Sequence, residues 1–339
     1  MKRFRNRAAV LTVAFLPAAA GPAFPAAAAP AGGKVGLAEL DSRTEKAIAD
    51  GLRYLAKRQR SDGSWGGSQY RAAVTALTLM AFMLKGHFPD TGEHGEKLNK
   101  AVGYLIKRAR AGGGYFGGNM YEHGLGTLAL SEAWGMSRRK EIRDTLKKAV
   151  DVILRAQNPA GGWRYQPRPV DADISVTVMQ IVALASAKEA GIYVPDKTIE
   201  RATAYVRRLQ GPSGGFGYSG PGAPGFSRSA AGVMSLIMCG HHKSKAVRKG
   251  LAYLMERPKN VFKTERFYYY GHYYAIQAMY QAGDAYYQKW YPTIRDALLD
   301  KQNRKTGAWS GGSGGGEYST AMAILILGVP YRYLPIYQR

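Results

Sequence analysis

Polar and apolar positions along this chain fall into two helical patterns that keep alternating. In "EKAIADGLRYLAKRQ" the apolar residues Ile48, Leu52 and Leu55 recur at the helical period, with charges between them. That pattern predicts a helix with one wet face. The next stretch, "AAVTALTLMAFML", is apolar on every side, so a helix there must be covered all round. "GLGTLALSEAWG", "SVTVMQIVALASA" and "TAMAILILG" read the same way. These segments run 9 to 13 residues, too short for a bilayer span, which takes about 20. Each pair therefore predicts a half-solvated outer helix followed by an inner helix packed among neighbours.

Between the two helices the chain keeps one punctuation. Gln59, Gln157, Gln210 and Gln302 each precede a glycine-containing turn and then an aromatic: Trp65, Trp163, Phe216 and Trp309. Two weaker copies fill the gaps. "IKRARAGGGYFGG" has Ala109 at the glutamine position with Tyr115 and Phe116 after the glycines, and "MERPKNVFKTERFYYYGH" has Glu256 and Phe267. The six anchors lie 50, 48, 53, 46 and 46 residues apart. A steady period of this size marks an array of supersecondary units, here six helical hairpins with twelve helices. An open array carries polar capping repeats. In this chain the first inner helix (72–84) and the last (320–327) are as apolar as the middle ones. Both ends need covering, and packing on each other covers both. The expected fold is all-α, an α/α toroid with an inner and an outer ring.

The glutamine–glycine–tryptophan repeat resembles the QW motif of terpenoid cyclases and protein prenyltransferase β subunits, over essentially the whole chain after its leader. The resemblance implies that Gln59 and its equivalents bind backbone at a helix end and stack on a neighbouring repeat's aromatic. A side-chain amide can donate to the carbonyls that a helix C-terminus leaves open. The motif then joins repeats and is not itself a reaction site.

Chemistry belongs where the inner helices begin, because a toroid opens there into a central cavity. The residues leading in are Tyr70 and Arg71; Tyr121, Glu122 and His123; Asp171 and Asp173; Phe226 and Arg228; Tyr268, Tyr269, Tyr270 and His272; and Glu317 and Tyr318. Together they describe a mixed polar and aromatic pocket. "DADISVTVMQ" is the most specific segment. Two carboxylates in a dry place titrate apart, so one can stay protonated, and tyrosine rings can stabilise a carbocation. Squalene-hopene-type cyclases use an Asp-x-Asp-Asp motif whose middle aspartate is the acid. By position Asp173 matches that acid and Asp171 the first aspartate, while Ile174 replaces the third. Helix N-capping by Asp171, Asp173 or Ser175 is the competing reading. Prenyltransferase β subunits hold zinc with an Asp-x-Cys pair and a histidine from the following repeat. Asp171-x-Asp173 falls on that pair without its cysteine, and "GFSRSAAG" carries no histidine. Zinc would need Glu122, His123, Asp173 and His272 to converge. The family spacing is not met, and no cofactor is expected.

Composition adds an address and a charge. "MKRFRNR", an apolar run and "PAAAAPAGG" read as a secretory signal over residues 1–29, followed by a linker at 30–42 and one domain over 43–339. The protein is expected to be exported, with no transmembrane segment once the signal is removed. Formal charge is +24, and removing the signal's four basic residues leaves about +20, a field that attracts polyanions. The basic residues are dispersed over helix polar faces, and no nucleic-acid motif is present. Cys239 is the single cysteine, so no intrachain disulfide can form and a buried thiol is expected. Three functions fit: a terpenoid-cyclase-like or prenyltransferase-like protein with an apolar, isoprenoid-like ligand; a non-catalytic exported binding or scaffold protein; or a lyase or hydrolase acting on an acidic polysaccharide. The last would use Arg71, Arg164 and Arg228 as carboxylate forks and Tyr268 to Tyr270 as stacking surfaces.

Overall fold

Thirteen α-helices and one short 3-10 turn make up the described residues, and no strand is found among them. The computed structural model describes residues 40–137, 139–257, 260–312, 314–331 and 334. The expected leader and nearly all of the linker lie outside that range. The described helices fall within Leu37–Arg339, which forms one compact unit.

Six helices form an inner ring: α2 (Arg71–Leu84), α4 (Met120–Ser137), α6 (Ile174–Glu189), α8 (Phe226–Met238), α11 (Tyr268–Ala282) and α13 (Gly315–Leu327). Each packs on the next, and α13 packs back on α2, so the ring is closed. The outer ring is α1 (Ser42–Ala56), α3 (Gly95–Ala111), α5 (Lys140–Ala156), α7 (Asp196–Arg208), α9 (Lys245–Met255) and α12 (Asp284–Lys301). The chain is an α/α toroid. It departs from the expected twelve helices by one extra turn, α10 (Val261–Thr264), inserted in repeat five. The burial pattern follows the sequence periodicity. α2 is buried continuously from Ala72 to Leu84, whereas α1 buries only one face, including Ile48, Leu52 and Leu55.

The punctuation between helices is a joint, built differently from the expectation. The glutamine amide does not reach the C-terminal carbonyls of its own helix. Gln59 Nε2 donates to Gly63 O in its own turn (3.0 Å) and to Lys97 O in the next outer helix (2.7 Å). Gln157 bridges Gly161 O and Thr198 O, and Gln210 bridges Gly214 O and Ala246 O. Gln302 joins Gly307 O to Ala47 O at 2.8 Å, which ties repeat six to repeat one. The C-terminal carbonyl goes instead to the indole: Trp65, Trp163 and Trp309 donate through Nε1 to Leu55 O, Ile153 O and Leu298 O. Their backbone N–H groups each reach a threonine hydroxyl on the inner helix, Thr75, Thr177 or Thr320, at 3.0 Å. One turn position must be glycine. Gly63, Gly114, Gly161, Gly214 and Gly307 all have positive φ, and a Cβ on any of them would run into a carbonyl of the next outer helix.

The two repeats without glutamine each place a buried histidine from the inner helix in the joint. His123 lies where the others place threonine or serine. It is fully buried, with Nε2 donating to Ala149 O at 3.0 Å and Nδ1 facing the Phe116 N–H at 3.5 Å. His272 in repeat five donates from Nε2 to Val261 O at 2.9 Å and stacks on Phe262, with ring centroids 5.2 Å apart. Phe262 is therefore the aromatic buried in this joint. The expected residue, Phe267, is 56% exposed.

Candidate functional site

The inner helices all start at the same end of the ring, and a cavity of about 580 Å³ opens between those starts. That volume falls within the usual span of small-molecule sites, about 300–1,000 Å³. All six repeats line it, and each contributes one tyrosine: Tyr70, Tyr121, Tyr165, Tyr218, Tyr270 and Tyr318. Leu125, Met179 and Val74, further along their helices, supply apolar wall. Tyr70 takes an unusual backbone to do so, with φ 57° and ψ 28°, a left-handed conformation rare for a bulky residue. Burial pushes the phenols of Tyr121, Tyr218, Tyr270 and Tyr318 upward, so they stay protonated as hydroxyl donors.

Asp173 sits one layer behind this wall. It has no solvent exposure and is the N-cap of α6, where Oδ1 accepts from Val176 N (2.9 Å) and Ser175 Oγ (2.6 Å). Oδ2 accepts from Tyr218 OH at 3.0 Å and lies 3.2 Å from Arg164 Nε, an ion-pair contact without hydrogen-bond alignment. Two hydroxyl arms lead from Asp173 to the cavity. One runs through Ser175 Oγ to Tyr121 OH at 2.9 Å, the other through Tyr218 OH to Tyr165 OH at 2.5 Å. Ser175, Tyr121, Tyr218 and Tyr165 all line the cavity.

The expected carboxylate pair does not form. Asp171 is in the loop before the cap, its side chain 58% exposed and paired with Arg164 Nη1 at 2.9 Å. Only the residue that caps the helix is drawn inside. Of the other anticipated wall residues, Tyr70, Tyr121, Phe226, Arg228, Tyr270 and Tyr318 line the cavity. Seven do not, Tyr268 and Tyr269 among them. Arg71 donates back to Gly67 O at 3.0 Å. Glu122 is buried against the neighbouring helix start, where Oε2 accepts from Ala72 N at 2.8 Å, and burial raises its pKa while that hydrogen bond opposes the rise. His123 and His272 face the outer ring in the joints described above, and burial pulls both pKa values down to about 4. Glu317 lies 4.0 Å from Arg58 Nη1 at the surface. Glu122, His123, Asp173 and His272 therefore do not share a site. Among the described residues no group of three or more His, Cys, Asp or Glu could hold a metal.

For the glycan reading, Arg71 and Arg164 are engaged by their own loops. Tyr268 and Tyr269 are buried, the latter bonded to Ser310 O at 2.7 Å. Glu265 is the only carboxylate among the described cavity-lining residues, whereas glycoside hydrolysis uses two. Cys239 is half-buried at the end of α8, and burial raises its thiol to about 11.

Tyr165, Tyr218 and Ser175 carry the link to Asp173, yet the tyrosines escape a reading of helix starts because both lie in loops. Their common signal is position: each stands two residues beyond the joint aromatic, where repeats one, two and six have Gly67, Gly118 and Gly311.

No family model matches the chain. Over 184 residues it is 27% identical to drimenyl diphosphate synthase of Streptomyces showdoensis, covering 51% of this chain and 32% of that enzyme. Over 132 residues it is 22% identical to lanosterol synthase of Pneumocystis carinii, covering 36% of this chain and 18% of that enzyme. The chain thus matches about a third or less of the length of either enzyme. Among solved structures, the type II terpene cyclase MstE from Scytonema shares the fold with a TM-score of 0.60 at 15% identity, covering 86% of this chain and 99% of that one. The GH76A alpha-1,6-mannanase of Salegentibacter sp. HEL1_6 shares it at 0.66 with 8% identity, covering 84% and 98%. At those identities the structures report the fold alone, and only the terpene cyclases are matched by sequence as well. Sequence and fold together support the resemblance of this chain to the terpenoid cyclase superfamily.

Proposed function

We propose that the protein binds an isoprenoid-like chain in the central cavity and that Asp173 starts its cyclisation as the acid. The observation that carries this reading is the pairing of a tyrosine-lined cavity with a buried carboxyl joined to two of its wall hydroxyls. Support comes from MstE, solved with geranylgeranyl dihydroxybenzoate, and from the sequence likeness to drimenyl diphosphate synthase. Because Asp173 does not touch the cavity, its proton passes through Ser175. The Ser175 hydroxyl accepts from the Asp173 carboxyl while giving its own proton to an alkene carbon. The alkene π pair forms the new C–H bond, and the resulting cation sits among tyrosine faces. A second alkene attacks it and closes a ring. Loss of a proton from the final cation restores the acid, so the product is an isomer of the substrate.

A second reading rests on one feature: each group that contacts Asp173 is a donor, which is what an N-cap requires. On that reading the cavity binds its ligand and performs no reaction. Asp173→Asn separates the two, since asparagine also caps helices well. The variant is expected to fold and to hold a prenyl chain, while isomerisation of polyprenyl substrates falls about 10²–10⁴-fold, the usual contribution of a positioned acid. Equal turnover by wild type and variant would remove Asp173 from the reaction. Binding with no turnover by either protein would establish the second reading.

We also propose that residues 1–29 direct export and that the basic surface contacts polyanions. Sequencing the N-terminus of protein recovered from outside the cytoplasm, and salt elution from an anionic matrix, test these two points.

A further inference from the structure

The charges on the cavity wall are not spread round the ring. Repeats one, two, three and six line it with no charged side chain, while Arg228, Glu265 and Arg266 come from repeats four and five alone. Glu265 takes a hydrogen bond from Ser227 Oγ at 3.0 Å, and neither arginine forms an ion pair with a described carboxylate. Arg228 lies flat along the start of α8: a Cβ at Gly225 would meet its Nη2 at 2.8 Å and its Nε at 3.2 Å. Arg266 is held over the face of Phe267, its guanidinium carbon 5.1 Å from the ring centroid. Two guanidinium groups and the Glu265 carboxylate thus stand at one edge of an otherwise uncharged, tyrosine-rich cavity. A cation placed beside apolar wall gains from an anion that binds there, and the guanidinium fork fits carboxylate and phosphate oxygens.

We infer that the ligand is amphipathic, with an apolar chain among the tyrosines and a carboxylate or phosphate head on Arg228 and Arg266. This rests on reading the cavity as an isoprenoid site. It excludes a wholly neutral hydrocarbon as the preferred occupant and fixes which end of the chain lies toward repeats four and five.

The test uses the full chain and three probes sharing one tail: farnesol, farnesoic acid and farnesyl diphosphate, measured by titration calorimetry at fixed ionic strength. One or both anions are expected to bind at least about tenfold more tightly than farnesol. The tighter anion identifies the head as carboxylate or phosphate. Arg228→Gln combined with Arg266→Gln is expected to abolish that preference, the anions then binding no more tightly than farnesol does to the same variant. Both positions line the cavity, and circular dichroism of the variant checks that it folds. Equal binding of all three probes by the wild type, or an anion preference that survives the double substitution, overturns the inference while leaving the cavity reading intact. Failure of all three to bind, with the corresponding geranylgeranyl series failing too, overturns the cavity reading itself. Inorganic pyrophosphate binding as tightly as farnesyl diphosphate would show a free-anion site and also overturn the amphipathic ligand.

Discussion

Asp173 is buried, capped and surrounded by donors, so its substitutions separate structure from chemistry. Asp173→Asn keeps a good capping side chain. Asp173→Ala removes the cap and leaves Val176 N short of a partner and Tyr218 OH with Tyr165 OH alone, which costs about 1–2 kcal/mol from the cap alone. Chemical denaturation should therefore show Ala clearly below Asn in stability, whichever function holds. His123 and His272 are read through pH. Burial depresses both imidazoles to about 4 in the folded state, against about 6.5 in the unfolded chain. Below 6.5 the unfolded chain binds protons that the folded one refuses. Stability from this source is therefore complete above pH 6.5 and is lost as pH falls toward 4. The loss approaches about 3 kcal/mol per histidine. Urea midpoints measured at pH 7 and pH 5 should fall in the wild type. The fall should be smaller in His272→Gln, which keeps a donor toward Val261 O.

At the level of the element, the joint is the unit that converts a local turn into ring geometry. A glutamine amide has two N–H groups and spends them on two carbonyls from different repeats, so each joint sets the distance between neighbouring outer helices. Gln302→Ala removes the bridge between Gly307 O and Ala47 O. The expected cost is about 1–3 kcal/mol, because buried acceptors lose their donor. Gln302→Glu should be worse than Ala, since it sets a carboxylate against two carbonyl oxygens. Denaturation midpoints of the two variants check this order. Repeats two and five show why the motif is incomplete in sequence while the joint persists. Where the amide is missing, the inner helix supplies an imidazole that binds one carbonyl, Ala149 O of the next outer helix in repeat two and Val261 O of the inserted turn in repeat five.

The whole molecule differs from an open array because it has no ends. α1 lies beside α12 and α13, and α13 packs on α2. In an open array a weakened terminal repeat frays alone. In a closed ring the seam is an interior position. Gln302→Ala at the seam and Gln157→Ala on the far side should lower one common transition. Tryptophan fluorescence and helical circular dichroism should coincide throughout both curves. Separate transitions in the seam variant would mean that the ring opens there as an independent unit. Closure also makes the cavity, since six helix starts share a mouth only when the last meets the first.

The sequence by itself determined the helices, their pairing and the ring. Those follow from periodicity, from inner segments with no polar face, and from a repeat whose two ends are equally apolar, all short-range or countable features of the chain. It marked Asp173 and six of the cavity residues, because helix starts are legible from caps. What it did not determine was which way each polar side chain turns. Glu122 and His123 stand next to Tyr121 in the sequence, yet successive helical residues point about 100° apart. Tyr121 faces the cavity while its two neighbours meet a helix start and a joint. Asp171 and Asp173 look like a pair in the sequence and separate in the fold, because a loop residue stays wet and a cap is buried. The Tyr165–Tyr218–Asp173–Ser175–Tyr121 chain of hydroxyls crosses three repeats. The charged edge at Arg228 and Arg266 joins repeats four and five. Only packing brings such positions within hydrogen-bond range, so tertiary structure alone decided the site's geometry.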